Sequence, residues 1–415
     1  MVVRQPLNLA NITESSTQIV AQLGFLARKI YPNLPGLRIS NIRNALPGRI
    51  HRFDCHALAD YYGRTVFDLP IDRPMTPEQL AAIAASFAGL PRPSGVPTRH
   101  FGSGLSGAEI WRLPTAGGDF ALKAWPNEFT TADRPEWIAQ QLRATRASGS
   151  LLLPVPLATS DDVRRSCVLA YGRLWQCEPW LPGRSELATK TDAAILEVAF
   201  AALAELHAAL RSGAERECRR NVSPAIAKRR EVWNEAAGGG WDEVRRAIER
   251  TPDEGEHRAA DQWSLAWRKL SSSVDAMLEL CERGEFALQV VHGDLHAEHV
   301  LFDAGRVSGF IDFSAAAVDS RALDIARLLG STAGDDAEFR RIALSAYREA
   351  AKSSSGLSVE EDVLVDVFDR SATLLAPYRW FRWIYVENQT FANAKLVASR
   401  RRRLMDRLRK MAETS

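Results

Sequence analysis

Two aspartates stand where chemistry can be done. Asp294 lies in Val290-Val291-His292-Gly293-Asp294-Leu295-His296-Ala297-Glu298-His299-Val300-Leu301-Phe302, and Asp312 follows in Gly309-Phe310-Ile311-Asp312-Phe313. In both, apolar residues enclose a short polar core, the pattern of buried strands that end in polar loops. The turn Asp303-Ala304-Gly305-Arg306 lets a hairpin return the second acid beside the first. Two carboxylates brought together this way suit a proton acceptor and a metal ligand. The competing reading is a polar loop that caps a core hairpin.

Those acids need partners, and the strand-rich region from Thr98 offers them. Phe101-Gly102-Ser103-Gly104-Leu105-Ser106-Gly107 is glycine-rich, so backbone amides there can approach phosphate oxygens closely. Its G-x-G-x-x-G spacing alone is weak. Context adds to it. A dinucleotide loop sits between a strand and a helix, whereas this loop runs into the strand Ala108 to Leu113. A second strand, Phe120-Ala121-Leu122-Lys123-Ala124-Trp125, follows and carries a lysine. Gly102, Ser103, Gly104, Ser106, Gly107 and Lys123 are therefore the candidate nucleotide-phosphate site. Asp133 to Ser148 reads as a helix, from which Glu136 can pair with Lys123; Asp133 competes for that role, and a solvated Glu136 is equally open. Val163 to Tyr171 and Arg173 to Glu178 read as a hairpin. Glu178-Pro179-Trp180-Leu181-Pro182-Gly183 is a stiff exit from it, either a plain linker or a hinge at which Glu178 and Trp180 meet a nucleotide base.

The whole chain bounds these readings. Its 415 residues suffice for two or three units, with 46% hydrophobic and 25% charged residues, as in ordinary soluble proteins. A net charge of +2 argues against a nucleic-acid partner. The five cysteines are scattered without a C-x-x-C pair, which fits thiols in a reducing cytoplasm. The first residues lack the order of a signal peptide. Ala193 to Leu210, broken by Glu197, Glu205 and His207, reads as an amphipathic helix rather than a membrane span, and its His207 as a packing residue.

Residues 1–95 read as an N-terminal extension of unknown role, with a helix over Ser15 to Ile30. A His51, Asp54, Cys55, His56 cluster there fits no standard metal spacing, so we read it as a polar turn. Thr76 opens a capped helix that Pro91 stops. From Thr191 helices dominate. Arg216, Arg219, Arg220, Lys228, Arg229 and Arg230 make a basic patch, either a solvated face or a site for an anionic group. The seven basic residues of Arg400 to Lys410 read as a surface helix end, and the aromatics Trp380 to Phe391 as core.

Taken together, the chain from about residue 98 resembles the aminoglycoside phosphotransferase and choline kinase-like family. The resemblance rests on His292-Gly293-Asp294-Leu295-His296, Gly309-Phe310-Ile311-Asp312-Phe313 and Asp324-Ile325-Ala326, in order after the glycine loop and Lys123. It implies an α+β, two-lobed protein kinase-like fold: a small antiparallel-sheet N-lobe over 96–180 that binds nucleotide, and a mostly helical C-lobe over 181–415 that binds the acceptor. ATP would lie between the lobes. Asp294 would orient or deprotonate an acceptor hydroxyl, Asp312 would be the principal Mg²⁺ ligand, and Lys123 would contact the phosphates. The implied activity is transfer of the ATP γ-phosphate to a hydroxyl of an aminoglycoside-, choline- or sugar-like small molecule.

One departure bears on that activity. Five residues past the catalytic aspartate, where the family carries a metal-binding asparagine, stands His299. Imidazole is a poor Mg²⁺ partner. Either His299 binds a metal such as Mn²⁺, or Glu298 supplies the missing oxygen, or the site uses one metal, or the chain is a nucleotide-binding pseudokinase scaffold. Ala297 replaces a common proline, and Glu109 stands where protein kinases place valine. No A-P-E-like segment follows Asp312, against a protein-serine kinase. For the acceptor, Glu360, Glu361, Asp362 and Asp366 would favour a cation, and the patch around Arg229 an anion.

Overall fold

The computed structural model describes residues 75–415 apart from 101–106, 127–128, 130, 147–150, 215–217, 353–355, 392 and 415. The expected helix at 15–30 and the His51 to His56 cluster lie outside the described residues, as do Gly102, Ser103, Gly104 and Ser106 of the glycine loop.

Five strands make one antiparallel sheet: β1 (Thr98–His100), β2 (Glu109–Thr115), β3 (Gly118–Ala124), β4 (Val168–Ala170) and β5 (Arg173–Pro179). Their order is β1-β2-β3-β5-β4. Side chains alternate across a strand, so the register sorts the two faces. Arg112 lies across from Ala121 and Ala121 from Glu178; Ile110 lies across from Lys123 and Lys123 from Gln176. These residues share the face that carries Lys123. Trp111, Leu113, Leu122, Trp175 and Cys177 occupy the other face. That face is covered by Leu80, Ile83 and Ala84 of helix α1 (Pro77–Ala84) and by Phe87.

Helix α1 begins as its sequence dictates. Thr76 and Gln79 form a reciprocal capping box, and proline occupies the first turn. Its packing moves a boundary expected from sequence. The prolines of Pro91 to Pro97 look like a break before the first lobe. Yet Pro93 bridges to Thr115, and α1 shares a core with the sheet. Residues 75–95 therefore belong with the strands, because the apolar back of the sheet needs a cover.

After α2 (Asp133–Arg146) and the last strands, the linker docks onto the second lobe. Arg184 and Phe302 exchange backbone hydrogen bonds of 2.9 and 2.8 Å. Gly183 sits at φ +109°, and a Cβ there would meet the Phe302 carbonyl at 2.6 Å, so only glycine permits this approach. The helices that follow are α3 (Ala193–Gly213), α4 (Pro224–Glu235), α5 (Trp241–Ile248), α6 (Glu254–Glu282), α7 (Ala322–Ser331), α8 (Ala337–Ala351), α9 (Val359–Tyr385) and α10 (Ala394–Thr414). Helix α3 is long and apolar enough to cross a membrane, but Leu196, Phe200, Leu203, Leu206 and Leu210 are buried in the C-lobe core, packed against α8 and α2. Trp380 and Phe381 are core, as expected. The basic end divides: Arg402, Arg403, Arg409 and Lys410 are exposed, as expected, whereas Arg400, Arg401 and Arg407 of α10 turn inward to Glu298, Glu256 and Asp369.

Between α6 and α7 lie the short strands that carry the motif: β7 (Phe286–Val291), the hairpin β8 (Val300–Asp303) and β9 (Arg306–Phe310), and β10 (Ala317–Asp319). β7 is flanked by β6 (Arg219–Asn221) and β10. The α+β, two-lobed arrangement implied by the sequence is present.

Candidate active site

The loop leaving β7 is held by one buried acid. Asp324, on the first turn of α7, accepts the amides of His292 (2.7 Å) and Gly293 (2.8 Å). Its charge has support from behind: His207 Nε2 donates to Asp324 Oδ2 (3.2 Å), and the Tyr347 hydroxyl donates to His207 Nδ1 (2.8 Å). Burial pushes the His207 pKa down and keeps the ring neutral, and its hydrogen bond helps hold Asp324 below its usual range against burial. His207 is a packing residue, and it also steadies the residue that fixes the loop. Gly293 turns the chain at φ +84°, where a Cβ would collide with the Ala315 carbonyl.

His292 ties the two aspartate segments together. Its Nε2 donates to the Ile311 carbonyl (2.8 Å), and its Nδ1 faces the Asp294 amide at 3.4 Å. Asp312 itself adopts φ +62°, a left-handed conformation rare outside glycine. Strain of this kind persists where surroundings over-determine it. Here the surroundings are Lys123, whose Nζ lies 3.2 Å from Asp312 Oδ1, and Ser314, whose hydroxyl donates to the same oxygen at 2.5 Å. Burial would raise the Asp312 carboxyl; Lys123, with the Ser314 hydroxyl, outweighs it and holds it well below the usual carboxylate range. Burial would likewise lower the Lys123 amine, but Asp312 and Glu178 keep it charged.

Glu178, on the Lys123 face of the sheet, is pushed up to about 7 by burial, with Asp312 adding to the rise and Lys123 opposing it. Glu136 plays no such part. Its carboxylate accepts the amides of Ser166 (2.8 Å) and Cys167 (2.9 Å) and the Ser166 hydroxyl (2.7 Å). Those donors precede the short strand β4 and have no ladder partner, so α2 spends its acid on them. The expected Glu136–Lys123 pair is replaced by Asp312 and Glu178. The Trp180 amide continues the ladder to the Asp119 carbonyl (2.9 Å), so it is not a free hinge donor for a base. Its ring packs edge-on to His100 (5.2 Å) and under Arg112 (5.1 Å). Gly107 closes the glycine loop at φ +73°, and Glu109 beside it binds Arg173 (2.5 Å) and Arg99 (3.3 Å).

His299 lies inside this frame. Its Nδ1 donates to the Asp294 carbonyl (2.9 Å), leaving Nε2 3.9 Å from Asp312 Oδ2. Burial, with the neighbouring His292, pushes its pKa to about 3, so the ring is neutral and Nε2 presents a lone pair toward Asp312. That pair of donors suits a divalent cation of imidazole-tolerant character. No cluster of three or more such ligands occurs among the described residues, which suits a cation completed by nucleotide phosphates and water. Glu298 is not the substitute: it pairs with Arg400.

Asp294 has partners that sequence reasoning missed. Arg327 Nη2 contacts its Oδ1, as does His296 Nε2 at 3.1 Å. Arg327 stands one helical turn past Asp324, and that spacing on α7 is the available signal for it.

A model of a phosphotransferase enzyme family matches residues 98–356. No curated protein matches the chain. Among solved structures, spectinomycin phosphotransferase APH(9)-Ia, in complex with ADP and spectinomycin, superposes with a TM-score of 0.57 at 12% identity, covering 83% of this chain and 100% of that one. Amicoumacin kinase hAmiN, in complex with AMP-PNP, Ca²⁺ and Ami, superposes with a TM-score of 0.53 at 12% identity, covering 81% of this chain and 94% of that one. Both share the two-lobed fold.

Proposed function

Because the chain belongs to the phosphotransferase enzyme family, we propose that it is a small-molecule kinase that moves the γ-phosphoryl group of ATP to an alcohol hydroxyl. The observation that carries this reading is the pair Lys123–Asp312, 3.2 Å apart across the two lobes and adjoining the Asp294 loop. Phosphoryl transfer needs in-line placement and charge neutralisation more than covalent help. Lys123 holds the phosphates from the sheet face. Asp312 and the neutral His299 would hold a divalent cation, Mg²⁺ or Mn²⁺, which would neutralise phosphate charge when bound. Asp294 orients the acceptor hydroxyl and accepts its proton. His296 and Arg327 fix the rotamer of Asp294, while Asp324 and His207 fix the loop beneath it. Gly107, Glu178 and the Trp180 ring border the nucleotide side. Neither nucleic acid nor membrane takes part, and a cytoplasmic location belongs to the same proposal.

One observation favours a second reading. Arg327 and His296 both engage Asp294 Oδ1, as in a carboxylate retired from catalysis in a nucleotide-binding scaffold. Transfer from labelled ATP to hydroxyl compounds, with Mg²⁺ and with Mn²⁺, separates the two. The kinase reading expects Asp294→Asn to lower turnover by about a hundredfold or more with nucleotide affinity retained. Wild type and Asp294→Asn equally inactive, with ATP still bound, would sink it.

A further inference from the structure

Three arginines stand on helices of which α9 packs against both the others: Arg229 of α4, Arg327 of α7 and Arg379 of α9. They lie close enough to act on one another's charge, and Arg327 contacts Asp294. Arg229 lies 4.4 Å over the Phe368 ring and donates only to its own helix, to the Ala225 carbonyl at 3.4 Å. Arg379 lies over Trp383 (5.1 Å). Among the described residues neither forms an ion pair with a carboxylate. Arg327 touches Asp294 through Nη2, and its buried Nε has no hydrogen-bond partner among the described residues.

The surrounding acids are committed elsewhere. Asp319 accepts from the Ser223 hydroxyl (2.5 Å) and the Ala225 and Ser320 amides (both 2.7 Å). Asp369 is shared by Arg340 (2.8 Å) and Arg407 (2.6 Å). The acids that would favour a cationic acceptor are likewise spent: Glu361 on Arg321, Asp362 on Arg348, and Asp366 on Arg370 and Arg340, while Glu360 is exposed. Two other residues of the basic patch are paired: Lys228 with Glu231, and Arg230 with Asp275 and Glu282.

A half-buried cluster of like charges is costly unless something neutralises it. The cost is visible here. Burial, then Arg327 and Arg379, push the Arg229 guanidinium down to about 9; burial and Arg379 push Arg327 down to about 10. Guanidinium forks match carboxylate and phosphate oxygens bidentately.

We propose that the acceptor carries an anionic group, a carboxylate or a phosphate, bound by Arg229, Arg327 and Arg379 while its hydroxyl faces Asp294. The proposal rests on the kinase reading of the same site and narrows its substrate class to hydroxy acids or phosphorylated polyols. It sets this chain apart from a site built for a cationic antibiotic.

Four small probes on one scaffold test it by titration calorimetry on the full chain: glycerate, glycerol 3-phosphate, glycerol and 3-amino-1,2-propanediol. The expected result is binding of at least one anionic probe roughly tenfold or more tighter than glycerol, with the amine weakest. Which anion binds better tells carboxylate from phosphate. The double variant Arg229→Gln/Arg379→Gln should lose that preference while still binding AMP-PNP, which also reports that it folds. The variant Arg229→Lys/Arg379→Lys, with charge but no fork, should keep part of it. Equal or absent binding of the anionic probes overturns the proposal. So does a Gln variant that keeps the preference, or one that loses AMP-PNP affinity instead, since the cluster would then serve the nucleotide's phosphates. A wild type that prefers the anions but binds no AMP-PNP leaves the anion site standing and removes the kinase reading.

Discussion

Asp324 receives both the His292 and the Gly293 amide, at 2.7 and 2.8 Å, so an acid on α7 sets the backbone of a loop that begins at the end of β7. His207 adds a third donor to the same carboxylate. In Asp324→Asn one of these three donors would meet an NH₂ group. A buried donor left unmatched costs about 1–3 kcal/mol. We expect a urea midpoint lowered by that amount, and a larger proportional loss of phosphoryl transfer because the Asp294 backbone is released. An unchanged midpoint would contradict the network.

Glu136 predicts the opposite balance. It anchors the amides of Ser166 and Cys167 and not Lys123. Glu136→Gln should cost about 1.5–3 kcal/mol of stability, as for hydrogen bonds to a charged group. AMP-PNP affinity should change by less than about twofold, well under 1 kcal/mol. A large affinity loss with little destabilisation would restore the lysine-pairing role.

We expect His299 to set the choice of cation. A neutral imidazole beside Asp312 suits Mn²⁺ better than Mg²⁺. Wild type should work better with Mn²⁺, and His299→Asn should shift the Mn²⁺ to Mg²⁺ rate ratio toward Mg²⁺ by about tenfold. Electron paramagnetic resonance of Mn²⁺ with AMP-PNP present should show weaker binding in the variant. An identical ratio in both proteins would remove His299 from the site.

Glu178 gives a pH dependence with a definite sign. Burial raises its pKa from 4.5 to about 7 in the folded protein. The folded state therefore keeps a proton that the unfolded chain releases. Stability falls as pH rises from about 4.5 to about 7, then levels. Glu178→Gln should flatten that slope and raise stability at pH 8 by on the order of 1 kcal/mol. Denaturant midpoints across the window check it; a slope unchanged by the substitution refutes it.

What the sequence made legible was local or carried by short motifs. The capping box at Thr76 and the strand–loop–hairpin around Asp294 and Asp312 each follow from residues within a few positions of one another. What it hid depends on which long-range neighbour arrives first. Glu136 and Lys123 share a plausible spacing, but unpaired amides at Ser166 and Cys167 claim the acid. Arg229 looks like one of six basic surface residues until α4 turns it inward beside Arg327 and Arg379. Glu298 looks free for a cation until α10 brings Arg400 to it. The proline-rich stretch before Thr98 reads as a boundary because local chemistry cannot show that a sheet has an uncovered back.

That cover has a practical consequence. The region shared with the family begins at Thr98, and a fragment cut there would retain all five strands of the described sheet. It would also strip α1 and Phe87 from Trp111, Leu113, Leu122 and Trp175, leaving a contiguous aromatic and aliphatic surface open to water, the kind that drives self-association. The shortest version of this protein fit for expression is thus fixed by a helix outside the shared region, and a cut should fall before Met75.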